Sequence, residues 1–231
     1  MTDFWFLLLS IPVLALLWRG LEAILAWLTG NRKDAPRYVT LIYDVYAVGG
    51  GVVLALTQIR TVGISFVQPP PHSPEDLFFI SLCAYLVYNL FTPLTRRHRE
   101  VWLHHAFVGG VLVIAIVWGY PSTILPLWLL VELSELVAQT RYFARNTRWA
   151  PATVHLEYWT RVVKLILLAP LVVLAHWIPW YRDAPLPVAA IYFGLMYYLL
   201  GMYIYEVGVS RKRVKQKVDT PRMVSANHSG R

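Results

Sequence analysis

Residues 101–143, VWLHHAFVGGVLVIAIVWGYPSTILPLWLLVELSELVAQTRYF, decide how this chain must fold. They contain two apolar blocks, each close to the roughly 20 residues a helix needs to span a hydrocarbon core about 30 Å thick. Only the turn residues Tyr120, Pro121 and Ser122 separate the blocks. So short a connection predicts an antiparallel helical hairpin. Each block also carries ionisable groups, His104 and His105 on the first and Glu132 and Glu135 on the second. Such groups are costly in hydrocarbon and face a bundle interior or a wet cavity. The hairpin therefore predicts a membrane-embedded bundle with a polar place inside it.

The same pattern extends outward to apolar blocks at 5–28, 38–58, 76–94, 101–119, 122–143, 158–180 and 185–206. Each is bounded by charge, proline or glycine. Of the 231 residues 57% are hydrophobic and only 15% charged, and the mean hydropathy is +0.49, far from the balance of a soluble domain. We expect an all-α, multi-pass membrane protein with about seven transmembrane helices. The organisation expected is a first transmembrane helix and inner basic loop over 1–37, a six-helix membrane domain over 38–210, and a basic, disordered tail over 211–231. The first block follows Asp3 with no basic residue before it and outruns a signal-peptide core, so it reads as a retained span. Cys83 is the single cysteine, which excludes a disulfide framework. No internal repeat is visible, which argues against transporters built from duplicated halves.

Orientation follows from Lys and Arg, which are held on the cytoplasmic side of a span. Arg32, Lys33 and Arg37 follow the first block, Arg96, Arg97 and Arg99 the third, and Arg141, Arg145 and Arg148 the fifth; seven more lie from Arg211 to Arg231. The opposite loops hold only Arg60 and Arg182, so 16 basic residues face 2. This predicts a lumenal or outer N-terminus and a cytosolic C-terminus, and it accounts for the net charge of +8 without nucleic acid. The run RKRVKQK reads first as an orientation determinant, and second as an attraction for anionic lipids worth about 1 kcal/mol per charge. The sequon at Asn227 lies in this inner tail and is expected to carry no glycan. The stretch from Arg60 to Asp76, with Pro69, Pro70, Pro71 and Pro74, reads as an outer loop.

Depth can be gauged from a rise of about 1.5 Å per residue. Measured from the inner helix ends, His104 and His105 lie at roughly 5–6 Å, Asn89 at about 8 Å, Asp44 and Glu135 at about 9 Å and Glu132 at about 14 Å. Arg19, Glu22, Arg161 and Lys164 fall in the same zone. The outer halves are nearly pure Leu, Val, Ile, Ala, Phe and Trp, with His176 the main exception. A bundle that is polar inward and greasy outward suits an amphiphile, its head near the cytosol and its chain in the apolar depths. Glu132 and Glu135 share a helical face, whereas His104 and His105 are turned about 100° apart. A carboxylate holding one of the histidines would fix its tautomer and raise its basicity. A single intramembrane pair can merely set helix register; four such groups on one hairpin, with Asp44, Asn89 and Arg161 at similar depth, favour a cavity. Arg19 and Glu22, three apart, are expected to pair with each other. Lys164 can either snorkel to the interface or line the pocket.

Seven histidines are present: His72, His98, His104, His105, His155, His176 and His228. Neither an H-x-x-H-H cluster nor H-E-x-x-H appears, and no metal is expected. A Gly-rich phosphate loop, a G-x-S-x-G elbow and a dinucleotide fingerprint are also absent from the sequence. Gly49, Gly50 and Gly51 lie within the second block, where small residues permit close helix packing.

The paired histidines of LHHAF (103–107), followed 28 residues later by the acids of VELSELVAQTRYFARNTR (131–148), resemble the TLC-domain family, which includes the ceramide synthases. Glu132 and Glu135 fall where that family's H-D-x-x-D motif places two aspartates, with Val131 in place of its histidine. WTRVVKLILLAP (159–170), with Arg161 and Pro170, is similar to the arginine-and-proline helix that follows. The resemblance spans roughly 38–210. It implies six helices forming a TLC-type barrel around a lipid cavity, an extra first helix, and residence in the endoplasmic reticulum.

By that resemblance His104 and His105 are the catalytic candidates, and Glu132 and Glu135 orient them or balance their charge. Asp44, Asn89, Arg161 and Lys164 become candidates for binding substrate. The expected activity is transfer of an acyl chain from acyl-CoA, as co-substrate and with no other cofactor, to a lipid amine or hydroxyl. Two other classes use the same cavity: a non-catalytic lipid carrier or regulator of membrane composition, and a proton-coupled transporter. A catalyst needs its histidines beside an acyl-sized cavity, a carrier needs only the cavity, and a transporter needs a second exit.

Overall fold

Short polar signals set the helix boundaries. The first helix, α1 (Phe4–Thr29), stops at Gly30, whose φ is 65°, a left-handed conformation that glycine adopts without strain. Asn31 then accepts the backbone N–H groups of Lys33 at 3.1 Å and Asp34 at 3.2 Å, which satisfies donors just ahead of α2 (Ala35–Val62). α3 (Pro74–Leu90) is followed by the single turn α4 (Pro93–Arg96), then by α5 (Arg99–Val117) and α6 (Leu125–Ala144). α7 (Ala150–Ala175) and α8 (Leu186–Asp219) complete the order. Thr92 Oγ1 accepts the Thr95 N–H ahead of α4, and Thr147 Oγ1 the Trp149 N–H ahead of α7. Proline follows each cap in the first turn, at Pro93 and Pro151, where its missing N–H costs nothing.

The computed structural model describes residues 4–62, 74–96, 99–117, 125–175 and 186–219, and all regular structure among them is helical. Apart from α4, these helices fall on the seven apolar blocks of the sequence. Three stretches are long and apolar enough to cross a membrane: Trp5–Thr29, Ala35–Thr57 and Ala189–Lys215. Asp76–Leu90 and Val101–Ile114 are shorter apolar helices. Trp5, Leu9, Leu16, Leu17 and Trp27 stand exposed along α1, a surface that water-soluble monomers rarely present and a hydrocarbon solvent accepts. The Tyr120–Ser122 turn, the loop prolines at 69–71, His72, His98, His176, Arg182, Asn227 and His228 lie outside the described residues.

The chain forms two compact units. The first comprises Met1–Leu136 with Pro185–Ile191, and the second Val137–Ala184 with Tyr192–Arg231. In the first, α3 is the central element, packed by α1, α2 and α5, and Phe79, Ile80, Leu82 and Ala84 are fully buried. In the second, Arg161 to Ser210 and Lys164 to Glu206 link α7 to α8, and Leu168, Val172, Leu195, Met196 and Leu199 are buried.

Two boundaries depart from expectation. α7 begins at Ala150, eight residues before 158, because Thr153, His155 and Glu157 interrupt the apolar run of its first two turns, and hydropathy registers only the unbroken remainder. α8 runs to Asp219, so 211–219, expected to be disordered, continues the helix. Arg, Lys and Gln in that stretch are good helix formers.

α2 and α3 come so close at Gly50 that a Cβ there would lie 2.5 Å from Cε2 of Phe78, whereas one at Gly49 would meet nothing within 4 Å. Thermal unfolding in detergent is therefore expected to show Gly50→Ala destabilised by about 1–3 kcal/mol through overpacking. Gly49→Ala should be neutral or stabilised by up to about 1 kcal/mol through helix propensity. Equal responses would mean that the glycines do not serve helix approach.

Candidate functional site

The first unit gathers its polar side chains around the C-terminal end of α3. Tyr85 and Asn89 are one helical turn apart and so lie on one face. Asn89, only 9% exposed, uses both ends of its amide. Its Oδ1 accepts the hydroxyls of Thr95 at 2.8 Å and Thr92 at 3.1 Å. Its Nδ2 lies 3.4 Å from the Tyr85 hydroxyl and 3.4 Å from Nε2 of His105 on α5. The Tyr85 hydroxyl in turn donates to Thr40 Oγ1 on α2 at 3.0 Å. His104 lies beside His105, with ring centroids 5.5 Å apart.

The carboxylates approach from α2 and α6. Tyr43 donates to Glu132 Oε1 at 2.9 Å and stacks on Tyr85, with centroids 3.4 Å apart and ring planes 9° from parallel. Trp18 of α1 sets its edge against both rings. Asp44 is 1% exposed and within electrostatic range of Glu132 and Glu135. Among the described residues its Oδ2 is buried without a hydrogen-bond partner, as is Nδ1 of His105. A stable fold leaves few such atoms, and each one calls for an explanation. Arg19 pairs with Glu22, as their spacing predicts, and Glu22 also accepts the Tyr88 hydroxyl at 2.8 Å.

Arg161 and Lys164 belong to the second unit and hold carboxylates there. Glu157, 2% exposed, takes Arg141, Arg161 at 2.9 Å and Arg213 at 3.2 Å. Arg161 also donates to Ser210 Oγ at 2.9 Å. Lys164 does not snorkel. Its side chain is 2% exposed, with Nζ 3.1 Å from Glu206 Oε2 and 3.6 Å from the Tyr203 ring centroid.

Asp44, Asn89, His104, His105, Glu132 and Glu135 thus fall in one unit, and Arg161 and Lys164 in the other. The side chain that meets Nε2 of His105 is the Asn89 amide. Sequence reasoning missed Tyr43, Tyr85, Thr92 and Thr95 in the first unit and Glu157 and Glu206 in the second. Two of these had a local signal: Tyr85 and Asn89, and Glu157 and Arg161, each stand four apart, and Glu ahead of Arg is the favoured order on a helix. Among the described residues no three or more His, Cys, Asp or Glu side chains come together to hold a metal ion. Compared with family models, curated proteins and solved structures, the chain matches none.

Proposed function

We propose that the chain is a seven-span, TLC-type membrane acyltransferase that moves an acyl chain from acyl-CoA to a lipid amine or hydroxyl. The observation that carries this reading is the buried polar cluster of the first unit. There His105, beside His104, is hydrogen-bonded to Asn89, and Asp44 lies near Glu132 and Glu135, within helices that are otherwise apolar. Chemistry of this kind uses a histidine to accept the acceptor's proton and carboxylates to stabilise the imidazolium that forms. The loop charges favour a cytosolic C-terminus and a lumenal N-terminus, and the resemblance favours the endoplasmic reticulum. Acyl-CoA would then arrive from the cytosolic side, where the polar groups gather, and the basic end of α8 would lie against anionic lipid.

Purified protein incubated with labelled acyl-CoA and a lipid extract should form an acylated lipid, and His104→Ala and His105→Ala should each lower its rate by about 10²–10⁴-fold. If both folded variants match the wild type, chemistry at this pair is ruled out. A carrier is the second reading, favoured by the amide on His105, which does not raise basicity as a carboxylate would. In that case labelled lipid is retained and no product forms.

A further inference from the structure

Among the described residues His105 uses only one of its ring nitrogens. Nε2 faces the Asn89 amide, and Nδ1 is buried with no hydrogen-bond partner. Which of the two carries the proton depends on which end of Asn89 faces the ring.

The surroundings of Asn89 answer that. The Thr95 hydroxyl donates to Asn89 Oδ1 at 2.8 Å, whereas the Thr92 hydroxyl lies 3.1 Å from the same oxygen and 3.0 Å from the Asn89 backbone carbonyl, with one proton to share between them. With Oδ1 turned to the Thr95 hydroxyl, Nδ2 faces His105, and a side-chain nitrogen of an amide only donates. Nε2 must therefore offer a lone pair, since two N–H groups directed at each other would repel. That leaves the proton of the neutral ring on Nδ1. We propose that Asn89, anchored by Thr92 and Thr95, fixes His105 as a neutral Nδ1–H donor that binds the carbonyl oxygen of the acyl group.

This inference rests on the acyltransferase reading and divides the labour of the pair. The acceptor's oxygen or nitrogen attacks the thioester carbonyl carbon, and the new bond forms as the C–S bond breaks. The acceptor's proton passes to His104 and from there to the departing thiolate, giving acylated lipid and free CoA. His105 loses no proton in this sequence. Its Nδ1–H stabilises the negative charge that grows on the carbonyl oxygen. Asn89 acts only through His105 and is a positioning residue.

The test is ¹⁵N NMR of histidine-labelled full-length protein in nanodiscs, with His105→Gln identifying the His105 signals. The expected wild-type spectrum has an unprotonated Nε2, recognised by its downfield position and its coupling to both ring C–H protons, and a protonated Nδ1. In Asn89→Asp, a carboxylate oxygen that can only accept faces Nε2, and the proton should move there. A wild-type ring protonated on Nε2, or on both nitrogens, overturns the proposal, and this spectrum decides even if the variant does not fold. A ring that keeps its Nδ1 proton in folded Asn89→Asp overturns the role given to Asn89.

The carbonyl is probed with a long-chain ketone analogue of acyl-CoA in which a methylene replaces the sulfur, against the matching analogue that lacks the carbonyl. Only the ketone should move the Nδ1–H proton resonance. If both analogues bind and neither moves it, the carbonyl-binding role is overturned while acyl transfer still stands. If neither analogue binds, the acyltransferase reading itself has failed and the assigned tautomer survives.

Discussion

Glu157→Gln is expected to destabilise the protein by about 3–5 kcal/mol, the cost of removing one partner from a buried ion pair. Glu157 is the carboxylate on which Arg141, Arg161 and Arg213 converge, and the substitution keeps its shape while removing its charge. Arg141 and Arg213 are partly exposed and can turn toward solvent, but the Arg161 side chain is only 10% exposed and cannot follow. Replacing both members by apolar residues removes the stranded charge along with the attraction, and such exchanges are often close to neutral. Glu157→Leu combined with Arg161→Leu should therefore unfold in detergent at a higher temperature than Glu157→Gln alone. A double variant less stable than the single one would show that Arg161 earns its place through Ser210 and Glu206 rather than through Glu157.

Asp44→Asn should have the opposite effect on stability and a large effect on turnover. A carboxyl group near two others, with a buried oxygen that meets no donor, weakens the fold it sits in. Strain of this kind persists where function requires it. The amide has no proton to lose, keeps nearly the same volume and supplies a donor that Glu132 or Glu135 can accept. Thermal unfolding should show a gain of about 1–3 kcal/mol, the penalty of one unsatisfied buried group. On the proposed acyltransferase reading, acyl transfer by the same preparation should fall by about 10²-fold or more if Asp44 helps to stabilise the imidazolium. A less stable Asp44→Asn protein with unchanged turnover would make Asp44 a structural residue and take it out of the site.

Much of the molecule was legible because it depends on local spacing. The helical blocks, the pairing of Arg19 with Glu22 and the gathering of polar groups toward one end of the helices all follow from residues a few positions apart. The start of α7 was not legible, because Thr153, His155 and Glu157 break the apolar run of its first two turns and hydropathy does not register the cap at Thr147. Lys164 was left between two fates, because the sequence does not show that Tyr203 and Glu206 meet it from α8. The missed glutamates have a common cause. Glu157 precedes the apolar part of α7 and Glu206 closes that of α8, so both look like the ends of spans until the helices are packed.

By itself the sequence determined that this chain is helical and apolar and where its long helices lie; it read about seven spans, of which three stretches of the structure are long and apolar enough to cross a membrane. Only the tertiary structure decided the partners: Asn89 for His105, Tyr43 for Glu132, and three arginines for Glu157. The physical reason is rotational. In lipid the outward and packed faces of a helix are equally apolar, so no amphipathic stripe records how each helix is turned about its axis. That turn is fixed by side-chain packing between helices, and it alone brings residues distant in the chain within a hydrogen bond of each other.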